Sequence, residues 1–243
     1  MQTTQMQEAI ISALFSPTVM FATFLVFSCV ASPAQIRFNA ASALSQNTET
    51  VDPVALAQRS FDKINTYQVV IRSSSPLDES KVIRYSYQKP GYVRMDFTQP
   101  HAGAVLIYNP LSGRVTLWPF GVGTLPVLHL SPTNTLIQDE RGHRVDRSDI
   151  GVLLGNIRRL QREGKTTILG KESLSGRATT YISVSGPGTV AVDGVHRYDI
   201  WLDNYHRLPA KVISYAPDGQ RLETVVMDAM VINIRFPVNF FTP

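Results

Sequence analysis

The chain has 243 residues, 44% of them hydrophobic and 17% charged, with a net charge of +4. This apolar fraction excludes a disordered chain, and fifteen Gly and fifteen Pro fall short of a collagen-like or linker-like composition. The single cysteine excludes an intramolecular disulfide, and no Cys/His spacing matches a zinc site.

No charged residue occurs between Glu8 and Arg37, and Val19 to Ala31 is the densest apolar run. Small residues follow at Ser28, Cys29, Ala31, Ser32 and Ala34. An apolar run ending in small residues has the shape of a secretory signal peptide, so residues 1–34 are read as one. The positive residues that normally precede such a run are missing. A retained membrane anchor through residues 9–36 is therefore the alternative. Pro17 would interrupt a helix there. Cys29 is a candidate lipidation site: Val26 and Ser28 fit the bacterial lipoprotein pattern, and Phe27 does not. A cysteine in an apolar segment behaves as a small hydrophobe, and that reading is preferred. Cleavage near Ala34 leaves 23 basic and 18 acidic residues, a charge of +5.

Residues 35–51 read as a polar linker, and residues 52–243 as a single β-rich domain. Asp52 followed by Pro53 is a helix start, and Val54, Leu56, Ala57, Phe61 and Ile64 make an apolar stripe through 53–65. Strand signals follow at Tyr67–Arg72, Val82–Gln88, Tyr92–Phe97, Ala104–Tyr108 and Arg114–Trp118, with turns at 89–91 and 109–113. Hairpins at this short spacing predict an antiparallel meander. Phe120–Leu130 is apolar with broken periodicity, as a mobile cover or an edge segment would be. Asp139–Asp149 reads as a charged loop. Ile150, Leu153, Leu154, Ile157 and Leu160 share one face of a second helix, capped by Asp146 or Ser148 and ended by Gly164. Strands are predicted at 166–172, 177–185, 195–203, 208–216, 220–228 and 230–236. There is no internal repeat.

The search for chemistry returns little. No two of the five histidines stand at metal-ligand spacing, and no HExxH occurs. His196 belongs to an alternating strand with Tyr198, Ile200 and Leu202. Gly121-Val122-Gly123 lacks the rest of a nucleotide fingerprint, and there is no GxSxG. No catalytic residue, metal or cofactor is assigned, and the expectation is a protein that is not an enzyme. Arg141, Arg144, Arg147, Arg158, Arg159 and Arg162 read first as a solvated face and second as a membrane contact. Export argues against nucleic acid as a partner. Tyr85, Tyr87, Val93, Met95 and Phe97 form one apolar face, and Leu106, Tyr108, Leu117 and the residues near Trp118 extend it. Such a face lines either a filled core or a lipid-binding cavity, and the residues leave both open.

The stretch from Tyr87 to Pro110, YQKPGYVRMDFTQPHAGAVLIYNP, resembles the periplasmic lipoprotein carriers of the LolA type. Those have a strand, a basic-residue–Pro turn, an aromatic-rich strand, "TQP", and a strand ending in "YNP". The order of elements agrees over residues 52–243, and the residue-level likeness is confined to about 83–118. The resemblance implies a mainly β fold with two helices: a half-open antiparallel barrel, covered by helices, that holds acyl chains in a hydrophobic cavity. Lys89 stands where the carriers have an Arg associated with closing the lid, and Val93 where they have Phe. Lys keeps the charge and loses the planar fork. Phe120–Leu130 departs from the carrier pattern.

The functional expectation is an exported periplasmic protein that binds lipid or lipoprotein acyl chains and acts in their transport to the outer membrane. Tyr85, Tyr87, Val93, Met95, Phe97, Leu106, Tyr108 and Leu117 would line the cavity. Leu153, Leu154 and Ile157 would cover it, and Lys89 would touch the lid. An inner- or outer-membrane protein would be the partner. Glu at Val93 or at Phe97 is expected to abolish lipid retention in a chain that stays soluble. The alternative is a membrane-tethered envelope sensor or interaction module on the same fold. An enzyme on this scaffold comes third.

Overall fold

The computed structural model describes residues 51–76, 80–139 and 141–242. The signal or anchor segment, Cys29 and the linker up to residue 50 lie outside the described residues.

Helix α1 spans Pro53–Asp62. The Asp52 carboxylate accepts the Val54 N–H at 2.9 Å, and Pro53 fills the first-turn position where its missing N–H costs nothing. The expected helix ran to residue 65; the last residues instead close a tight turn, with the Ile64 N–H on Phe61 O. Helix α2 spans Ile150–Gln161. Its cap is Asp149, not the expected Asp146 or Ser148. A short 3-10 turn at Val145–Arg147 uses up those residues and delivers Asp149 to the helix start.

Eleven strands form one antiparallel sheet. They are β1 (Thr66–Ser74), β2 (Lys81–Gln88), β3 (Tyr92–Gln99), β4 (Val105–Asn109), β5 (Arg114–Trp118), β6 (Leu128–Leu130), β7 (Lys165–Leu174), β8 (Arg177–Ser185), β9 (Arg197–Asp203), β10 (Pro209–Tyr215) and β11 (Arg221–Ile232). Their order in space is β6-β5-β4-β3-β2-β1-β11-β10-β9-β8-β7. Two meanders are joined where β11 returns to pair with β1, Tyr67 opposite Ile232 and Ile71 opposite Met227. The edges β6 and β7 do not pair, so the sheet is open. The strands expected at 220–228 and 230–236 are one strand to Ile232. Its register shifts opposite Gln68–Val70, and Ala229 takes a φ of 50°, as a bulge requires.

Period two gives the sheet two different faces. The inner face carries Tyr67, Val69, Tyr85, Tyr87, Val93, Leu106 and Val115 from the first meander and Ile182, Ile200, Leu202 and Val212 from the second. These form one buried cluster with Val54, Ala57 and Phe61 of α1 and Ile150, Leu154, Ile157 and Leu160 of α2. Both helices therefore bury their apolar stripes in the same core as the sheet. The outer face has a smaller cluster: Val105, Ile107 and Trp118 under Phe241, with Tyr92, Phe236 and Phe240 packed against it. Leu117 and the residues near Trp118 were expected to extend the inner face. Leu117 does so, and alternation turns Trp118 outward. Arg94 fastens the chain end across this outer patch. It donates to Phe240 O at 2.9 Å, its guanidinium lies 4.5 Å from the Phe240 ring centre, and it pairs with Asp96 at 2.8 Å.

Candidate functional site

The inner face of the sheet, beneath the start of α2, is the candidate site. Tyr67 of β1 faces Tyr87 of β2, and Tyr85, opposite Val69, lies diagonal to it on the same face, so both rings stack on Tyr67. Ring centres are 5.1 Å apart for Tyr67 and Tyr87, and 5.9 Å for Tyr67 and Tyr85. Phe61 of α1 meets Tyr87 at 5.9 Å. Two hydroxyls tie α2 to the sheet. Tyr67 Oη accepts the Ile150 N–H at 3.2 Å, and Tyr85 Oη shares a hydrogen bond with Ser148 Oγ at 3.0 Å. The first satisfies one of the orphan donors at a helix start. Burial pushes the Tyr67 and Tyr85 hydroxyls well above their ordinary range and Tyr87 up to about 12, so all three keep their protons near neutrality.

A cavity of about 30 Å³ lies among these groups, lined by Tyr67, Val69, Ile71, Tyr85, Ser148, Asp149, Ile150, Leu153 and Met227. That is room for a few water molecules and too little for an acyl chain. The centre of the face is thus filled by aromatic rings in this conformation, and an acyl chain needs α2 to move.

Burial raises the Asp149 carboxyl above the ordinary value, against the pull of the Val152 and Gly151 N–H groups. A carboxyl whose folded pKa is raised adds stability below its unfolded value of about 3.9, and that stability is lost as pH rises through the folded value. At neutral pH the buried charge is a cost. Asn caps as well as Asp without carrying that charge. Asp149→Asn is therefore expected to melt no lower than the parent at pH 7, and Asp149→Ala to lose about 1 kcal/mol with the cap. Thermal melts followed by circular dichroism at pH 4 and pH 7 check both. A markedly lower melting point for Asp149→Asn at pH 7 would show that the carboxylate charge itself holds the helix.

All eleven residues expected to line or cover a cavity fall in one cluster. Tyr85, Tyr87, Val93, Leu106, Leu154 and Ile157 are buried, and Met95, Phe97, Tyr108, Leu117 and Leu153 are half-buried around them. Lys89, expected at a lid, donates to Asp62 O at 2.8 Å and lies 5.9 Å from the Phe61 ring, so it contacts α1. The residues that sequence reasoning missed are Tyr67, Val69, Ile71, Ser148, Asp149 and Met227. The alternation of β1 could have placed the first three; nothing local marks Ser148, Asp149 or Met227. Four of the arginines are held in ion pairs. Arg147 and Arg159 reach Asp193 at 3.6 and 3.9 Å, Arg144 reaches Asp146 at 2.6 Å, and Arg141 reaches Glu223 at 3.6 Å. Among the described residues, no three or more His, Cys, Asp or Glu side chains stand together where they could hold a metal ion. Among the same residues, no helix is long and apolar enough to cross a membrane.

No family model matches the chain, and no curated protein matches it. Solved structures are similar to it. A LolA superfamily protein from Nitrosomonas europaea is 13% identical, with a TM-score of 0.33, over 79% of this chain and 96% of that one. The Mycobacterium tuberculosis lipoprotein LppX is 10% identical, with a TM-score of 0.46, over 76% of this chain and 96% of that one. The Pseudomonas aeruginosa MucA/MucB complex is matched at 13% identity and a TM-score of 0.45, over 79% of this chain and 60% of that one. At these values the likeness is one of fold and not of activity.

Proposed function

We propose that this protein is a non-enzymatic, exported binder of lipid or lipoprotein acyl chains, working in the cell envelope and passing its cargo toward the outer membrane. The sheet is read as a half-open barrel, with α1 and α2 as its cover. One observation carries the reading: the apolar inner face does not end where its buried core ends. Ile71, Met95, Phe97, Leu117, Leu130 and Leu153 form a half-buried apolar margin around the filled centre. An acyl chain laid on this margin meets Leu153 of α2, and lifting α2 lets it continue over Tyr85 and Tyr67. Each methylene taken from water contributes about 0.8 kcal/mol, and a long acyl chain sets that gain against the polar contacts and the buried apolar stripe that α2 gives up when it lifts.

Phe97 is the place to test this, because it belongs to the margin and not to the core. The parent chain is expected to take up a fluorescent fatty acid, and Phe97→Glu to bind it at least tenfold more weakly with an unchanged melting curve, since a nearby carboxylate makes an apolar site costly (about 1.4 kcal/mol per tenfold). Undiminished uptake in a folded Phe97→Glu chain would sink the proposal and favour a protein-binding module.

A further inference from the structure

We infer that the loop between β5 and β6, with the β3–β4 loop beside it, is a preformed wedge that inserts into the interfacial region of a lipid bilayer. The observation begins with charge. From Phe97 to Gln138 the chain contains one Lys, Arg, Asp or Glu, which is Arg114. Arg114 lies at the opposite end of β5, in register with Asn109, so neither loop carries a charged side chain; Lys81 of β2 and Arg221 and Glu223 of β11 stand at the same end of the sheet, outside the two loops. The loops are neighbours: a Cβ on Gly121 would stand 3.5 Å from Gly103 O. Together they project Phe120 at 71% exposure and Leu125 at 83%, with Val122 and Ala102 also exposed.

Several backbone groups at this end are satisfied from within, which lowers the cost of entering a bilayer. Thr124 directs both its N–H, at 3.1 Å, and its hydroxyl, at 2.6 Å, to Gly121 O. Gly121 N–H donates to Trp118 O. In the neighbouring loop the Gly103 N–H donates to Phe97 O and the Ala104 N–H to His101 O. Gly121 and Gly123 supply the φ values of 107° and 87° that fold the loop back on itself. The apolar side chains are therefore presented by a turn that is already made, and insertion orders little. A protein interface would use polar pairing, about one hydrogen bond per 100–200 Å², and charged or amide side chains at its rim. Neither loop carries a charged or amide side chain. A bilayer needs only exposed apolar side chains, and with no basic residue in either loop the contact does not depend on anionic lipid.

The inference does not rest on acyl-chain binding. Failure of fatty-acid uptake leaves it standing, and a silent wedge leaves fatty-acid uptake standing. The test must also be blind to the apolar segment 9–36 of the full chain, so the readout is local. An environment-sensitive fluorophore is attached at Leu125→Cys in the full chain carrying Cys29→Ala. A control chain carries it at Leu111→Cys, exposed in the hairpin at the other end of the strands. Both are mixed with phosphatidylcholine vesicles. The label at 125 is expected to brighten several-fold, shift to the blue, and be quenched by acyl-chain spin labels, with no change in 0.5 M salt; the label at 111 is expected to stay as in water. A label at 125 that is silent, a response equal at both positions, or a response that needs anionic lipid would overturn the inference.

Discussion

Tyr67→Ala is expected to cost about 3–5 kcal/mol in urea unfolding, as aromatic truncations in tight cores do. Tyr67 is 1% exposed. It stands where the sheet and both helices meet: its ring stacks on Tyr85 and Tyr87 and meets the edge of Phe61, and its hydroxyl holds the start of α2. Removing the ring leaves a void that the surrounding strands cannot close, because their spacing is fixed by the hydrogen-bond ladder. Tyr67→Phe keeps the packing and loses only the hydrogen bond, which is worth about 0.5–1.5 kcal/mol. The difference between the two variants separates packing from pinning. A loss below about 1 kcal/mol for Tyr67→Ala would mean that the helices are held elsewhere.

Val93→Glu is expected to unfold the chain, or to cost at least about 3–5 kcal/mol, the range for an uncompensated buried charge. Val93 is 2% exposed and sits between Tyr87 and Tyr108 in the register of β2, β3 and β4. A carboxylate there has no cationic partner and no route to water. Phe97 lies two pairs along the same face of β3 and is half-buried, so Glu at that position can reach solvent and the chain stays folded. From the sequence the two positions look equivalent, since both alternate onto the same apolar face. Their depth separates them, and depth comes from the helices and from β1, which the local pattern does not contain. Circular dichroism and gel filtration of the two variants side by side check the difference; a soluble, cooperatively folding Val93→Glu chain would contradict the packing described here.

Much of the sheet was legible because alternation is a local property. Tyr85, Tyr87, Val93, Met95 and Phe97 were placed on one face by counting in twos, and they are on one face. The caps show where locality ends. Asp52-Pro53 is self-contained and was read correctly, but the choice among Asp146, Ser148 and Asp149 depends on a 3-10 turn that no pattern announces. The closing pair β1–β11 joins residues over 150 positions apart, so neither Met227 at the site nor the bulge at Ala229 could be read ahead. The residues near Trp118 were expected on the inner face with Leu117, and a single step of alternation puts Trp118 itself on the outer one. Whether an apolar face is filled or hollow is a question of volume. Three stacked tyrosines answer it for the resting conformation, with room for a few waters beside them.

The central claim is that this filled face opens to hold an acyl chain. The most direct test is intact mass under native and then denaturing conditions, on chain recovered separately from the soluble and membrane fractions of cells. The expected result is a soluble chain, shortened near Ala34, that carries extra mass in the native spectrum and loses it on denaturation, the mass matching a lipid or an acylated peptide. A full-length or Cys29-acylated chain found only in membranes, with no extra mass, would contradict the carrier reading and leave the tethered interaction module in its place.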